Sequence, residues 1–344
     1  MKQLRFSIPL ILILLTSCSK NNQGLETSIN NQQSNWLVDT DDILYMNLEK
    51  DRIKSLDHPD FIEIRDSHVN DEEKVFVYQH NGIVHVYPLS AIQPHEIVND
   101  SIGDHYFAIT LCPLTASSLA WNRNINGEVT TFGVSGKLYL ENLVPYDRNS
   151  GSHWSQILSL SINGEYIGET ARTENLIETK FSTIKRAYPN ALVLKHENCD
   201  STSCGSGLRS TLEEPDGNDD NLEIGANNKY FGIVNDERAF LIPFTIMKNE
   251  ISIIHTIVFQ KQIIVVSSAA KEFIVSYEVN NKTFSPVSDS LPIIMKDNIG
   301  NYYDMFGLVI SGTDKGLNLK SPTSFTALTF AWENFYREIE VMVQ

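Results

Sequence analysis

Two short apolar runs around an Asn-Gly pair decide the fold: residues 75–78 (VFVY) and 83–87 (IVHVY), with Asn81-Gly82 between them. β-Branched and aromatic residues on both sides of Asn-Gly are typical of a β-hairpin. A second pair of such runs occurs at 230–233 (YFGI) and 239–242 (AFLI). The first pair predicts a β-rich fold, and the second pair predicts that one unit is built twice.

An offset of 155 residues carries the first hairpin onto the second, and further matches follow in order at shorter offsets. Their order and gradual drift favour an internal duplication over two unrelated β-rich domains with a similar hydrophobic rhythm. The offset falls to 144 where helical spacing begins, at Phe181 and Phe325. The residue pairs that this alignment predicts are His95 with Glu250, Cys112 with Ser267, Asp147 with Asp297, Arg148 with Asn298, His153 with Tyr302, Gln156 with Met305, and Gly168 with Gly312.

Each copy is expected to form strands, then one helix of about three turns, then a closing strand. Hairpins dominate and crossover helices are lacking, which favours an α+β, β-rich fold with mostly antiparallel pairing. The unit is either a mostly antiparallel sheet or a partly closed barrel. The predicted organisation is a signal peptide at 1–17, a tether at 18–40, the first copy at 41–198, a linker and surface loop at 199–229, and the second copy at 230–344.

The amino terminus has the pattern of an export signal. Lys2 and Arg5 precede an apolar run at 7–16 (SIPLILILLT), which is too short to remain as a membrane-spanning helix. The following Leu15-Thr16-Ser17-Cys18 resembles the bacterial lipobox, in which the signal peptide is removed before a lipid-modified Cys. The sequence thus predicts lipidation of Cys18 and an extracytoplasmic, membrane-anchored protein of the cell envelope. A plain secretory signal is the alternative.

The composition bounds the class of protein. Over 344 residues, 42% are hydrophobic and 20% are charged, which fits a globular chain and not a disordered or polytopic membrane protein. The formal net charge of −16 makes the chain repel nucleic-acid phosphates, so no nucleic-acid partner is expected.

Three cysteines follow Cys18. Cys199 and Cys204 lie in a turn-rich stretch, and we predict a local disulfide between them because exported proteins sit in oxidising surroundings. Cys112 would then be the odd thiol. No second Cys or His pair follows at the spacing of a zinc site, so no metal is assigned.

Candidate chemistry concentrates in the first copy, since only one of the nine histidines, His255, lies in the second. Cys112 closes an apolar strand, where a thiolate would need a nearby cation such as His95. The other interpretation is that Cys112 is a buried residue that only fills space in the hydrophobic core. Asp147 could orient Arg148, which could bind a carboxylate or phosphate, or Asp147 could only cap a turn. The candidate site residues are His95, Cys112, Asp147, Arg148, His153 and Gln156.

Several strings taken together resemble one family. They are, in order, 94–100 (PHEIVND), 109–114 (ITLCPL), 131–139 (TFGVSGKLY), 143–148 (LVPYDR) and 151–156 (GSHWSQ). In this order they resemble the uncharacterised bacterial family called domain of unknown function 3179, over roughly residues 50–344.

The family has no established function to carry over, but two departures from its pattern are informative. It usually has a second Cys three places after the first, where this chain has Thr115. It also usually has Trp before the His that matches His95, where this chain has Pro94. The resemblance therefore excludes a dithiol couple within this motif and implies a lost or altered activity.

Three functions remain open on the sequence. The leading one is a membrane-anchored lipoprotein whose body binds a small molecule or a protein partner. The alternative is a thiol- or metal-dependent enzyme, which requires Cys112, His95 and His153 to converge on a common point. The third is a structural protein of the envelope, which requires no buried polar cluster in the first copy. No cofactor or substrate is assigned.

Overall fold

A computed structural model describes residues 35–195 and 228–343 of the chain. The predicted lipidation site Cys18, the predicted disulfide partners Cys199 and Cys204 and most of the predicted linker lie outside these residues. The body begins within the predicted tether, because Trp36 already bridges to Asn163. Among the described residues, no helix has the length and apolar character needed to cross a membrane.

The first copy consists mainly of short strands, as its β-branched and aromatic runs predict. Its strands are β1 (Ile43–Tyr45), β2 (Leu56–Asp57), β3 (Phe61–Glu63), β4 (Lys74–His80), β5 (Ile83–Pro88), β6 (Ile97–Ile102), β7 (His105–Cys112), β8 (Ser117–Asn122), β9 (Asn124–Ile125), β10 (Glu128–Val129), β11 (Phe132–Tyr139), β12 (Asn142–Asp147), β13 (His153–Ser155), β14 (Leu160–Asn163), β15 (Thr173–Glu174), β16 (Ile177–Lys180) and β17 (Leu192–Leu194). Its helices are α1 (Leu89–Ile92) and α2 (Phe181–Ala187), with 3₁₀ turns at Thr40–Asp42 and Ile64–Asp66.

The second copy is shorter and has a single α-helix among its described residues. Its strands are β18 (Lys229–Asn235), β19 (Arg238–Pro243), β20 (Ser252–Val258), β21 (Lys261–Ser268), β22 (Phe273–Glu278), β23 (Phe284–Pro286), β24 (Met295–Asp297), β25 (Tyr302–Tyr303), β26 (Val309–Ser311), β27 (Ser324–Leu328) and β28 (Glu338–Val341). The helix is α3 (Thr329–Phe335), and a 3₁₀ turn lies at Phe244–Ile246.

Strand pairing shows the duplication directly. The first copy has a sheet in the order β16-β4-β5-β17, and the second has β27-β18-β19-β28. In both, the first two pairings are antiparallel and the last is parallel. The meander β6-β7-β8 matches β20-β21-β22, and β11-β12-β13-β14 matches β23-β24-β25-β26. The α+β, β-rich, duplicated and mostly antiparallel fold is confirmed. Among the described strands no sheet closes, so the barrel alternative is wrong.

The predicted offset of 155 residues needs one correction, which concerns the strands β7 and β8 of the first copy. In β4–β5 and β18–β19 the offset is 155, because Val75 pairs with Pro88 as Tyr230 pairs with Pro243. In β7–β8 and β21–β22 it is 156, so Cys112 matches Ser268 and not Ser267. A slip of one residue moves every side chain to the other face of a strand. The sequence could not show this slip, since both faces of β7 are apolar.

The helices were aligned one turn out of register. α2 and α3 start 148 residues apart, at Phe181 and Thr329, whereas Phe325 belongs to strand β27. An error of four residues returns to the same helical face, so apolar spacing alone cannot detect it. The predicted pairing of Gly168 with Gly312 is wrong by the same four residues, since Gly168 matches Gly316. The Gly168 amide donates to the Ser161 carbonyl of β14 at 2.8 Å, and the Gly316 amide donates to the Val309 carbonyl of β26 at 2.9 Å. Each accepting residue lies two positions before the end of its strand.

The two copies complete each other's cores, and the described residues from 35 onward belong to one compact unit. Phe181 of α2 lies in an apolar cluster with Val266 and Tyr277 of the second copy. Trp332 of α3 lies in a second cluster with Trp121 of the first copy. Hydrogen bonds cross at both places; for example, the Leu328 amide donates to the Thr115 carbonyl at 2.9 Å. Each helix therefore buries its apolar face between strands of its own copy and strands of the other copy.

Candidate functional site

Two of the family-like strings, 109–114 and 151–156, and residues next to the strings meet at Gln156. Its Oε1 accepts from Ser117 Oγ at 2.8 Å and from Asn142 Nδ2 at 2.7 Å. Its Nε2 donates to Thr110 Oγ1 at 3.1 Å. Thr115 closes the set, with its hydroxyl 2.8 Å from Ser117 Oγ and 3.0 Å from Asn142 Nδ2. We call these five side chains the Gln156 network. Each is at most 1% exposed.

The second copy provides an internal comparison for this network. Thr110, Ser117 and Gln156 correspond to Val266, Phe273 and Met305, which lie in one apolar cluster. The same position in the same fold is thus filled without a polar atom in one copy. Polar groups that are fully hydrogen-bonded can be buried without a net cost, and replacing them by apolar groups of the same shape can be nearly neutral. The fold does not require the network, because the second copy forms without it, so we treat it as the candidate functional feature of the first copy.

Cys112 lies at the end of β7, beside the network. Its Sγ donates to the Glu141 carbonyl at 3.8 Å, and the side chain is 1% exposed. Burial raises the pKa of the thiol above its ordinary value, although hydrogen bonds from Thr115 partly oppose this. A thiolate nucleophile needs the opposite surroundings, with a cation or a helix amino terminus. Cys112 is therefore a neutral, buried thiol.

Glu96 lies closer to this thiol than the sequence indicated. Its backbone is left-handed, with φ +58°, and its carbonyl accepts from the Leu111 amide at 2.7 Å. Burial raises the pKa of its carboxyl to about 7, and its charge contributes to the raised pKa of Cys112. The neighbouring His95 has another partner, because its Nδ1 donates to the Lys54 carbonyl at 2.8 Å. The charge that acts on Cys112 is thus the carboxylate of Glu96, whereas the sequence suggested His95 as a nearby cation.

Asp147 organises a turn. Its carboxylate accepts from the Ser150 amide at 2.8 Å and from Trp154 Nε1 at 3.1 Å. The matching Asp297 accepts from the Asn301 amide at 2.8 Å and from the Tyr303 hydroxyl at 2.7 Å. Both copies therefore build this turn around one buried carboxylate, which makes turn capping the interpretation that the structure favours.

Arg148 is engaged by the segment that precedes the first hairpin. Its guanidinium donates to Asp51 at 2.9 Å, to Ser55 at 2.9 Å and to Asp57 at 3.3 Å. These acids raise the pKa of Arg148 against the effect of its burial. The side chain that could have bound an anionic ligand thus fixes residues 51–57 to the sheet.

His153 faces a different surface. Lys137 Nζ donates to its Nε2 at 3.2 Å, and its Nδ1 donates to Asn163 Oδ1 at 3.2 Å. Burial, Lys137 and Lys50 lower the pKa of His153 to about 4. The imidazole is therefore neutral at neutral pH, and Trp36 packs on it with ring centroids 5.4 Å apart.

The six candidate residues therefore divide among separate places. Gln156 and Cys112 adjoin, Asp147 and Arg148 hold a turn and a segment, and the contacts described for His95 and His153 do not include Cys112. Sequence reasoning missed Thr110, Ser117 and Asn142, which look like ordinary strand residues. Only the contrast between the copies, polar in one and apolar in the other, could have indicated them.

Other histidines of the first copy pair with acids. His85 Nδ1 lies 2.8 Å from Asp100 Oδ2, and His105 Nε2 lies 2.8 Å from Glu174 Oε2. His80 stacks on His105 with ring centroids 3.9 Å apart. Within the described ranges, no group of three or more His, Cys, Asp or Glu residues could hold a metal ion.

A small polar cleft opens where the two copies meet. Its volume is about 60 Å³. Side chains with hydroxyl, amide or carboxyl groups dominate its walls: Ser118, Thr173, Glu174, Asn175, Ser321, Thr323 and Ser324. Ser118 follows Ser117 of the Gln156 network in β8, and Ser324 begins β27. The network therefore lies directly behind one wall of the cleft.

A comparison with protein families finds one match. The family model described as a protein of unknown function (DUF3179) matches residues 50–339. No curated protein and no solved structure matches the chain. The family-like strings that surround Cys112 and Gln156 all lie within the matched range.

Proposed function

Since this chain belongs to DUF3179, a family of proteins of unknown function, we propose from its own residues that it is a membrane-anchored, extracytoplasmic lipoprotein. Its duplicated body binds a ligand or partner, and the binding site belongs to the first copy. The Gln156 network carries this proposal, because the second copy folds without such a network.

The anchor is supported by the order of features at the amino terminus. Two cations, an apolar run of signal-peptide length and Leu15-Thr16-Ser17-Cys18 follow one another at the spacing of a lipoprotein signal. Several acyl chains on one Cys hold a protein at a membrane far better than a single chain does. The acidic body would then work at the membrane surface.

The network supports binding by fixing the walls of the cleft. Gln156 holds Ser117 at the start of β8, and Ser118 beside it lines the cleft. Thr115 holds the opposite wall through its carbonyl, which accepts from the Leu328 amide at the end of β27. A site of about 60 Å³ accommodates a small polar group or the tip of a larger ligand. Its hydroxyl and carboxyl groups favour a partner rich in hydrogen-bond donors.

Thermal unfolding of the full chain against a panel of probes tests this role. The panel consists of Mg²⁺, Ca²⁺, Zn²⁺, inorganic phosphate, citrate and soluble peptidoglycan fragments. A probe that binds the folded state raises the midpoint with concentration. Ser118→Leu should abolish that rise by filling the cleft, and Ser285→Leu, on an exposed strand of the second copy, should not. No response to any probe contradicts a small-ligand role.

The other two hypotheses have less support from the geometry. Burial raises the pKa of the Cys112 thiol and the charge of Glu96 raises it further, which disfavours a thiol-dependent enzyme. The purely structural hypothesis requires a first copy without a buried polar cluster, whereas the Gln156 network is such a cluster.

A further inference from the structure

One face of the body combines exposed apolar side chains with two lysines. It is formed by the first described residues and the strands they pack on, and we call it the tether face: Trp36, Tyr45, Met46, Leu48, Lys50 and Lys137. Tyr45, Met46 and Leu48 are 54%, 39% and 40% exposed. Exposed apolar groups that cluster in this way commonly mark an interaction surface.

These residues form one connected surface. Tyr45 pairs with Lys137 across β1 and β11, and Lys137 Nζ lies 5.5 Å from the Tyr45 ring centroid. Leu48 passes so close to Gly136 that a Cβ there would lie 2.4 Å from the Leu48 carbonyl. Gly136 also has φ +74°, a backbone conformation that residues with a side chain rarely adopt, so both this conformation and the close approach of Leu48 require glycine.

The two lysines lack acidic partners in the part of the chain that the structure describes. Neither Lys50 nor Lys137 forms an ion pair there, although the whole chain has a net charge of −16. The nearby Asp51 is engaged by Arg148 and by the Tyr146 hydroxyl. Burial and the charge of Lys50 lower the pKa of Lys137. The same segment also exposes Asp39, Asp41, Asp42 and Glu49, so Lys50 and Lys137 are the positions on this face that favour a bound anion.

We propose that the tether face docks on the lipid bilayer, with Lys50 and Lys137 binding headgroup phosphates and the exposed apolar side chains entering the interface. This inference rests on the proposed lipid anchor. Trp36 lies 18 residue steps beyond Cys18, and an extended chain spans at most about 3.6 Å per step, or about 65 Å. Trp and Tyr favour the headgroup level, and each Lys near an anionic surface adds attraction. The described chain begins at residue 35, beside Trp36, so the segment that leads to the anchor joins the body at this face.

Tryptophan quenching by brominated phospholipids tests the docking. Trp121, Trp154 and Trp332 are at most 1% exposed, so Trp36 reports on contact with lipid. The full lipidated chain is reconstituted in vesicles of phosphatidylethanolamine and phosphatidylglycerol, with and without bromine on the acyl chains. We expect quenching in the wild type and at least a threefold smaller quenching in the double variant Lys50→Glu/Lys137→Glu.

Controls separate this inference from the anchor itself. Lys248→Glu/Lys315→Glu makes the same charge change on exposed residues of the second copy and should leave quenching unchanged. Lys50→Gln/Lys137→Gln should also reduce quenching, and it avoids introducing acids that could disturb folding. Flotation with vesicles reports the anchor, so a chain that floats without quenching overturns the docking alone. Inorganic phosphate that stabilises the detergent-solubilised chain through these lysines, without quenching in vesicles, overturns the headgroup assignment.

Discussion

Replacing Gln156 by Met removes the centre of the buried network and leaves its partners in place. The side chain makes hydrogen bonds to Ser117 Oγ, Asn142 Nδ2 and Thr110 Oγ1. Thr110 still reaches the Leu119 carbonyl and Asn142 still reaches Thr115, so each keeps one partner. Three lost hydrogen bonds at about 1 kcal/mol each, less a small gain from the apolar Met, give a loss of about 2–3 kcal/mol of unfolding free energy.

The triple variant Thr110→Val/Ser117→Ala/Gln156→Met should be far less destabilised. It replaces the network by groups like those of the second copy, where Val266 and Met305 pack without polar atoms. The two remaining members, Asn142 and Thr115, keep their mutual hydrogen bond at 3.0 Å, so few polar groups are stranded and we expect the variant within about 1 kcal/mol of the wild type. Met305→Leu is the matched control and should cost less than about 1.5 kcal/mol.

Urea unfolding followed by circular dichroism and tryptophan fluorescence measures these differences. Because the copies share their cores, both probes should report one transition with a common midpoint. A neutral Gln156→Met variant would refute the reasoning. A triple variant that loses the sum of the single losses would refute it as well, since the groups would then act independently.

Three further changes have defined signs. The pKa of Glu96 is raised from 4.5 to about 7, so its contribution to stability is present below pH 4.5 and is lost as the pH rises to about 7. In the wild type, urea titrations should therefore show about 3 kcal/mol less unfolding free energy at pH 8 than at pH 5. Glu96→Gln should abolish this difference. The pKa of His153 is lowered from 6.5 to about 4, so its contribution to stability is present above pH 6.5 and is lost as the pH falls to about 4. His153→Gln should make the unfolding free energy fall less steeply at acidic pH. An unchanged pH dependence counts against the burial of a neutral imidazole. Asp147→Ala should cost about 2–4 kcal/mol through lost bonds to a buried carboxylate, with a comparable loss for Asp297→Ala; a loss in only one of them contradicts a shared turn.

The duplication and the β-rich class could be predicted because hairpin signals are local. Asn81-Gly82 and the runs around it specify a turn and two strands without reference to the rest of the chain. The register between the copies could not be predicted with the same certainty. A strand apolar on both faces hides a one-residue slip, and a helix hides a four-residue slip.

The candidate site was predictable in part. The match of Gln156 with Met305 follows from alignment of the copies. Cys112 could be predicted as a candidate because it ends an apolar strand. The Gln156 partners Thr110, Ser117 and Asn142 depend on which sheets pack together, and no local pattern states that. The packing of each helix against strands of the other copy could not be predicted from the sequence either, because an apolar helix face does not specify its partner.

The mass of the mature protein recovered from membranes tests the central proposal most directly. Cleavage before Cys18 leaves 327 of the 344 residues, and it changes the net charge from −16 to −18 by removing Lys2 and Arg5. Intact-mass and peptide spectra should show a chain that starts at Cys18 and carries acyl groups there, whereas the full chain with Cys18→Ser should lack them and leave the membrane fraction. An unmodified Cys18, or a wild-type protein found only in the soluble fraction, would contradict the proposal.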